Sequence, residues 1–442
     1  MAQRAIKRLP VDTGRSGWEA ISDRSLPVRT LETDITADWL IVGAGFAGLS
    51  AARRLTQLRP GDRIAVLDAR ELAQGPAGRN SGFMIDVPHD LSSGEYSSGD
   101  ARGAALEMAQ NRLAIAFAKE AAVEYGMSAT TFDPCGKINA AATERGLRLN
   151  ASFQRSLQQI GEPLRQITAA EMREITGSDY YLGGLYMPGA VLIQPADYIR
   201  GLAAGLGSKI DLYENSPVLE LAREGVAWRA RTVHGSVTAP KVILGVNGLV
   251  QEFGHFRRRL MHVFTYASMT APFEGKAGHD RWALLPADPM GATVRKISGP
   301  RGSRIVIRTR FTYDPDLEVS EKRVAWTAAQ QRRSLDARFP DLAGVPFDYS
   351  WAGRLCLSWN HVPAFGEVDD GLYSACCENG LGTVKSTLAG VMSAELATGT
   401  RSKDLDKYLD QPKPSKLPPE PFAWLGASAL IRWQEMRAGL EG

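Results

Sequence analysis

The 442-residue chain predicts an α/β fold organised around a strand–turn–helix–strand unit near its start. Three features support this: the apolar run 38–42, the turn Gly43-Ala-Gly45-Phe-Ala-Gly48 after it, and Asp68 closing a second apolar run, 63–67. Gly43 permits a tight turn, Gly45 lets backbone N–H groups approach a pyrophosphate, and Gly48 allows close helix–strand packing. The helix N-terminus that follows favours an anion. An acid about 20 residues further on is placed for a ribose hydroxyl. Glycine-rich turns alone are common, and an ordinary βα turn is the plain alternative. Strand, helix, second strand and acid together point to a dinucleotide site.

The remaining elements follow in order. Residues 1–35, broken by Pro10 and Pro27, read as an irregular arm. Residues 50–58 are helical with Ala and Leu on one face, and Pro60-Gly61 turns the chain into the strand 63–67. The Ala-rich, Pro-free stretch 98–125 and the stretch 141–160 predict long helices, and Thr168-Ala-Ala-Glu171 has capping-box spacing. Residues 185–193 are β-like, interrupted by Pro188-Gly189, and 197–206 return to helix. From 217 to 247 the pattern is strand–turn–strand, and 259–272 and 304–313 are β-rich. Phe339-Pro340 stops a helix over 320–338. A strand, a loop, the strand 371–376, a glycine-rich turn and a helix over 383–398 come next. A Pro/Lys linker, 411–421, then leads to a closing helix near 423–438.

Composition narrows the class. Fifty-two Lys and Arg against 49 Asp and Glu leave a formal charge of +3, too weak a basic excess for a dedicated nucleic-acid binder. Four Cys in such a length do not make a disulfide scaffold and suggest a reducing compartment. No apolar stretch is long enough to span a membrane, and the N-terminus lacks a secretory core, so a cytoplasmic protein is expected. The six His, at 89, 234, 255, 262, 279 and 361, show no metal-ligand spacing, and no metal is expected.

The segment Gly78-Arg79-Asn80-Ser81-Gly82 bears on the choice between FAD and NAD. With it, the chain resembles the FAD-dependent amino acid and amine oxidoreductases that include D-amino acid oxidase, glycine oxidase and monomeric sarcosine oxidase. The nearest resemblance is to the gamma-glutamylputrescine oxidoreductase branch. Further matches appear in order: Gly183–Pro188 with Gln194-Pro195-Ala196, Pro217-Val218, Asn247-Gly248, Trp351–Pro363, Gly371-Leu-Tyr, Gly380-Leu-Gly382 and the tail Leu417–Phe422. The resemblance covers residues 36–440. It implies a Rossmann-like FAD-binding domain (36–98, 190–256 and 350–410) interleaved with a mixed α+β substrate domain (99–189 and 257–349). This is the glutathione-reductase-like FAD fold of D-amino acid oxidase type, with an N-terminal arm (1–35), a linker and C-terminal helix (411–442), and the pocket between the domains.

The implied cofactor is non-covalent FAD. At the turn its residues are Gly43, Gly45, Phe46, Ala47 and Gly48, and beside the ribose Asp68, Ala69 and Arg70. Gly78, Arg79, Asn80, Ser81 and Gly82 would lie against the flavin ring and ribityl chain. Val218 would meet adenine through its backbone. Asn247, Gly248 and Gly353, and the final loop of Asn379, Gly380, Leu381, Gly382 and Thr383, complete the set. Cys356 falls where the branch carries Gly, and reads as a small buried hydrophobe rather than a covalent flavin link.

Two departures bear on the substrate: Cys377 replaces the first Gly of the final loop, and Leu381 stands where His is often found. The implied reaction is oxidation of the C–N bond of a primary or secondary amine or amino acid by hydride transfer to flavin N5, the imine then hydrolysing to an aldehyde or keto acid. N–H groups at Gly380 and Gly382, with the helix dipole behind them, would stabilise negative charge at the reduced ring. Tyr266 is a candidate aromatic floor for an amine, or plain core. Trp359 and Asn360 are candidates to shape the pocket, or packing residues. Glu378 is placed to bind an ammonium, or is solvated loop; Lys385 is placed to promote oxygen reduction, or faces solvent. Arg295 and Arg308 are candidate carboxylate clamps, or a solvated strand face. The partners expected are a small-molecule amine or amino acid and O2 or another electron acceptor, with an oligomer or partner subunit allowed, and no nucleic acid or membrane. Two alternatives stand beside this. A FAD/NAD(P)H-dependent hydroxylase also begins with GxGxxG, but carries a late Gly-Asp motif where this chain has Cys377-Glu-Asn-Gly-Leu-Gly382. The other is the flavin subunit of a heteromeric amine dehydrogenase.

Overall fold

The computed structural model describes residues 3–88, 100–275 and 277–442. His89 and the expected helical residues 98 and 99 lie outside them. A six-stranded sheet forms the centre, in the order Asp211–Tyr213, Ile64–Leu67, Trp39–Val42, Lys241–Leu244, Leu372–Cys376, Ala364–Asp369. Its first five strands are parallel and the last is antiparallel. Trp39–Val42 and Ile64–Leu67 are buried at every position, as strands covered on both faces must be.

The helices follow their start and stop signals. The arm holds α1 (Gly17–Ile21), whose N-cap Ser16 accepts from the Trp18 N–H. α2 (Phe46–Leu58) begins four residues before the expected 50, because Gly45 serves as its N-cap. Asp100 caps α3 (Ala101–Glu124) and Thr143 caps α4 (Glu144–Gln159). The capping box of Thr168 and Glu171 starts α5 (Ala169–Thr176), which ends at Gly177 with φ +72°. Pro195 opens α6 (Pro195–Leu206) and Ser320 caps α7 (Glu321–Arg338). The C-terminal part holds α8 (Gly382–Thr398), α9 (Lys403–Leu409) and α10 (Phe422–Ala438).

An eight-stranded sheet stands beside the first, in the order Phe347–Leu357, Met261–Thr270, Gly302–Tyr313, Thr293–Gly299, Trp282–Pro286, Lys137–Ala141, Gly183–Met187, Arg165–Thr168. Ile138, Leu284, Val294, Ile305 and Ile307 pack on one of its faces with Leu335 of α7. Ala267, Met269, Ala283, Leu285 and Val306 belong to the cluster that also holds α2 and α8. The strand Phe347–Leu357 pairs along its length with Met261–Thr270, so the expected boundary at 349/350 falls inside a strand of this sheet. The expected β-like stretch 185–193 divides at Pro188-Gly189 into Gly183–Met187 and Val191–Ile193, which enter different sheets.

The arm is more ordered than its sequence suggests. Gln3–Ala5 pairs antiparallel with Glu220–Glu224, and Ile35–Thr36 pairs parallel with Ser236–Ala239. Trp18 is fully buried. Local composition could not show this, because the pairing partners lie some 200 residues away.

α2 and α8 cross closely at a glycine: a Cβ on Gly390 would lie 2.1 Å from the Ala47 carbonyl oxygen. Gly390→Ala is therefore expected to destabilise the fold by about 1–3 kcal/mol, measured as a lower urea midpoint at unchanged slope.

Candidate cofactor and substrate site

The central strand Trp39–Val42 runs into Gly43, which has φ +100°; a Cβ there would lie 2.6 Å from the Gly245 carbonyl oxygen. A Cβ on Gly48 would sit 1.7 Å from the Gly43 carbonyl oxygen, so the first turn of α2 lies directly on the strand's end. A Cβ on Gly45 would meet only the Ala77 methyl, at 3.5 Å. No side chain caps α2, so its leading N–H groups are free to bind a ligand. Asp68 sits at the end of the next strand, its two oxygens accepting from the Ala44 (2.7 Å) and Arg70 (2.9 Å) N–H groups. Burial raises its pKa, against these hydrogen bonds.

The loop 75–82 is held from outside. Ser16 Oγ donates to the Gly78 carbonyl, Trp351 Nε1 to that of Arg79 and Trp18 Nε1 to that of Asn80. The buried Arg79 guanidinium donates to the carbonyls of Gln74 (2.6 Å), Thr13 (3.0 Å), Ala352 (3.2 Å) and Gly14 (2.6 Å), tying arm, loop and sheet together. Asn80 accepts from the Gly82 N–H and donates to the Ala77 carbonyl.

On the far side, Cys377, Asn379 and Gly380 take positive φ of 64°, 50° and 87°, as does Asn247 at 49°. Asn247 bridges the bend: its Oδ1 accepts from the Cys377 N–H at 3.2 Å and its Nδ2 donates to Glu378 Oε1 at 2.7 Å. Burial pushes the Glu378 carboxyl up to about 7, against the Asn247 hydrogen bond. α8 then starts without a side-chain cap.

One cavity joins these parts. Gly43, Gly45, Phe46 and Ala47 line it at the turn, and Asp68, Ala69 and Arg70 beside them. Arg79, Asn80 and Ser81 line it from the loop, Val218, Asn247, Gly248 and Gly353 from the sheets, and Gly380, Leu381, Gly382 and Thr383 from the α8 start. Gly48, Gly78 and Gly82 stand behind the wall. Side chains there would strike the carbonyls of Gly43, Ala73 and Ile193, so they shape the backbone rather than the surface. Asn379 turns to a second cavity and holds Ser358 by its N–H at 2.8 Å.

The candidate catalytic residues divide between the two cavities. Glu378 lines the first. Tyr266 borders it too, but its ring packs with Phe264, Val319, Val324 and Ala352, and its hydroxyl lies 2.7 Å from Thr312 Oγ1. Trp359 is 62% exposed and lines the second cavity, as does Lys385, whose ammonium pairs with Glu107 at 2.8 Å. Asn360 is engaged with the linker, donating to the Lys413 carbonyl and accepting from the Ser415 N–H.

The two arginines part company. Arg295 is buried over the Trp18 ring and donates to the Ile193 carbonyl at 2.7 Å, so it braces the loop rather than facing solvent. Arg308 lines the first cavity, stacked over Phe311 and donating to Thr293 Oγ1 at 2.8 Å. Cys356 is buried, lines neither cavity, and burial raises its thiol pKa well above the ordinary value. Among the described residues no group of His, Cys, Asp and Glu is arranged to hold a metal, and no helix is long and apolar enough to cross a membrane.

The sequence reading missed the arm's share of the site. Ile6, Arg8, Pro10 and Asp12 line the first cavity, and buried Asp12 pairs with buried Arg354 at 3.1 Å. Its other oxygen, Oδ1, has no hydrogen-bond partner among the described residues. His262, also on the wall, is held down to about 4 by burial and by Arg354 and Arg8, so it is neutral at pH 7.

These residues fit FAD. Two uncapped helix N-termini, at α2 and α8, open on the same cavity and suit a pyrophosphate and the electron-rich edge of a ring. Gly45 leaves space in which a phosphate would fit, and Asp68 is the residue that would accept from a ribose hydroxyl. Gly45→Leu is expected to fill that space and lower FAD affinity at least about tenfold, or 1.4 kcal/mol. The variant should purify pale, with unchanged far-ultraviolet circular dichroism.

A family model described as FAD dependent oxidoreductase matches residues 38–396. The Rhizobium meliloti (strain 1021) protein named "Probable oxidoreductase OrdL" is 26% identical over 443 residues, covering 96% of each chain. The gamma-glutamylputrescine oxidoreductase of Escherichia coli (strain K12) is 26% identical over 413 residues, covering 90% of this chain and 92% of its own. The crystal structure of glycine oxidase from Geobacillus kaustophilus has the same fold, with TM-score 0.69 and 19% identity over 87% of this chain and all of that one. The chain belongs to the FAD-dependent oxidoreductase family, and FAD is its cofactor.

Proposed function

We propose that this enzyme oxidises the C–N bond of a primary or secondary amine or amino acid, releasing an imine that water hydrolyses to an aldehyde or keto acid and ammonia or a primary amine. The observation behind this reading is Glu378, a buried carboxyl on the wall of the cofactor cavity that titrates at about 7. An amine gives up a hydride from its α-carbon only once its nitrogen lone pair is free, so an ammonium must first lose a proton. A carboxylate that titrates near neutrality, held through one oxygen by Asn247 Nδ2, is suited to accept it. Arg308, fixed over Phe311 and against Thr293, offers a cation to the carboxylate of an amino acid substrate. The N-terminus of α8 supplies positive potential where charge accumulates. Bound FAD supplies the two-electron acceptor, passing the pair on to O2 or another oxidant. The relatives support the chemistry: one is named a gamma-glutamylputrescine oxidoreductase and another structure is titled glycine oxidase.

The test is anaerobic bleaching of the visible bands by a panel of amines and amino acids, scored against NADH and NADPH. Bleaching by an amine supports the reading; bleaching by the nicotinamides alone would favour a hydroxylase. With the amine found, the rate of reduction should rise with pH through an apparent pKa of about 7. Glu378→Gln should remove that limb and slow reduction on the order of 100-fold, measured by stopped flow across the pH range.

A further inference from the structure

A second cavity of about 740 Å³ lies beside the first, and Phe311 and Leu355 line both, so these two side chains form the partition between them. The volume falls within the range of pockets that enclose a sizeable organic ligand. Met261, Val263 and Met290 line it on the sheet side, Leu388 on α8, and Tyr408, Leu430 and Ile431 on the C-terminal segment. The charges on its wall are already paired: Lys385 with Glu107 at 2.8 Å, and Lys407 with Asp404 at 3.7 Å. Gln110 and Gln434 add neutral polar groups. An apolar wall whose charges each have a partner favours an uncharged apolar group over a further charge.

The outer wall comes from beyond residue 396, where the family match ends. It is fixed by inward-facing carboxylates: Glu435 accepts from Arg310 Nη1 at 2.7 Å and from the Phe311 N–H at 2.9 Å, and Glu420 accepts from the Tyr313 hydroxyl at 2.6 Å. α10 thus holds the backbone of the residue whose ring divides the cavities.

We infer that the second cavity receives the apolar substituent of the substrate, and that α10 sets the length and bulk of that substituent. This rests on the proposed amine oxidation: the reacting nitrogen stays with Glu378 in the first cavity, and an alkyl or aryl tail passes the partition of Phe311 and Leu355. The substrate class is then an amine or amino acid carrying a large neutral apolar group, in preference to a small or distally charged one.

The test uses the FAD-loaded enzyme and n-alkylamines from ethylamine to hexylamine, with n-alkanols as probes that lack the reacting nitrogen. In the wild type each added methylene should raise kcat/KM about fourfold until the pocket fills. Leu430→Trp, placed on the wall at a position 43% exposed, should cut the hexylamine-to-ethylamine ratio by more than about tenfold. Trp433→Ala, on the same helix but off the wall, should leave the ratio unchanged. By calorimetry, hexanol should bind the wild type and not Leu430→Trp. Amines that reduce the enzyme without any length dependence, or a ratio untouched by Leu430→Trp, would overturn the tail pocket while leaving the amine reading intact. Hexanol binding that Leu430→Trp abolishes, with no amine bleaching the enzyme, would retain the pocket and remove the amine reading.

Discussion

The site depends on backbone packed against backbone at the start of α2. Side chains on Gly43, Gly48 and Gly390 would each meet a carbonyl oxygen at 2.6 Å or less, those of Gly245, Gly43 and Ala47 respectively. Removing Cβ atoms lets the helix start rest on the strand end below it and on α8 beside it, closer than any other residue allows. Both uncapped helix N-termini therefore open on the same cavity. Two helix N-termini whose N–H groups carry partial positive charge and face one cavity favour an anionic ligand there.

The part of that constraint that is local, Gly48 against Gly43, was legible in the sequence; the contacts of Gly43 with Gly245 and of Gly390 with Ala47 join distant segments and were not. The turn, the strand before it, Asp68 and the helix expected from 383 all lie within short windows whose residue types act together. The same holds for helix ends, since Thr168 and Glu171 cap α5 and Gly177 ends it as their spacing requires. The arm is the opposite case. Arg79 reaches the carbonyls of Thr13, Gly14 and Ala352, partners 65 to 273 residues away along the chain, and nothing near residue 13 announces them. Buried Asp12 and Arg354 depend on each other in the same way: an isolated charge at either place would be costly to bury, so each is explained only by the other's position.

Side-chain roles were harder to read than backbone roles. Tyr266 and Arg295 sit on strands of the eight-stranded sheet, where the direction a side chain takes depends on register and bulges. A register shift between Thr265 and Tyr266 accompanies the Tyr266 ring into a cluster with Phe264 and Ala352. Arg295 faces inward because the loop carbonyls and the Trp18 ring need a donor there. Glu378 was a candidate by position alone. Its chemistry comes from burial and from Asn247, which lies 131 residues away and takes an uncommon positive φ to bridge the loop. Cys377 at φ +64° belongs to the same bend: a glycine would be relaxed there, and the side chain that replaces it is buried.

The two cavities then have different physical origins. Every glycine contact that builds the cofactor cavity lies within residues 38–396, whereas the outer wall of the second is α10, attached by the Glu420 and Glu435 carboxylates to the strand Gly302–Tyr313. α10 packs on that strand, and Arg145 also donates to the Arg437 carbonyl at its end. Substitutions along its inner face are placed to change the volume beyond Phe311. Because Glu435 holds the Phe311 N–H directly, a shift of the helix is felt at the partition between the cavities. On the proposed reading, chemistry at the cofactor and choice of substrate belong to different cavities, and Phe311 and Leu355, which line both, couple the two.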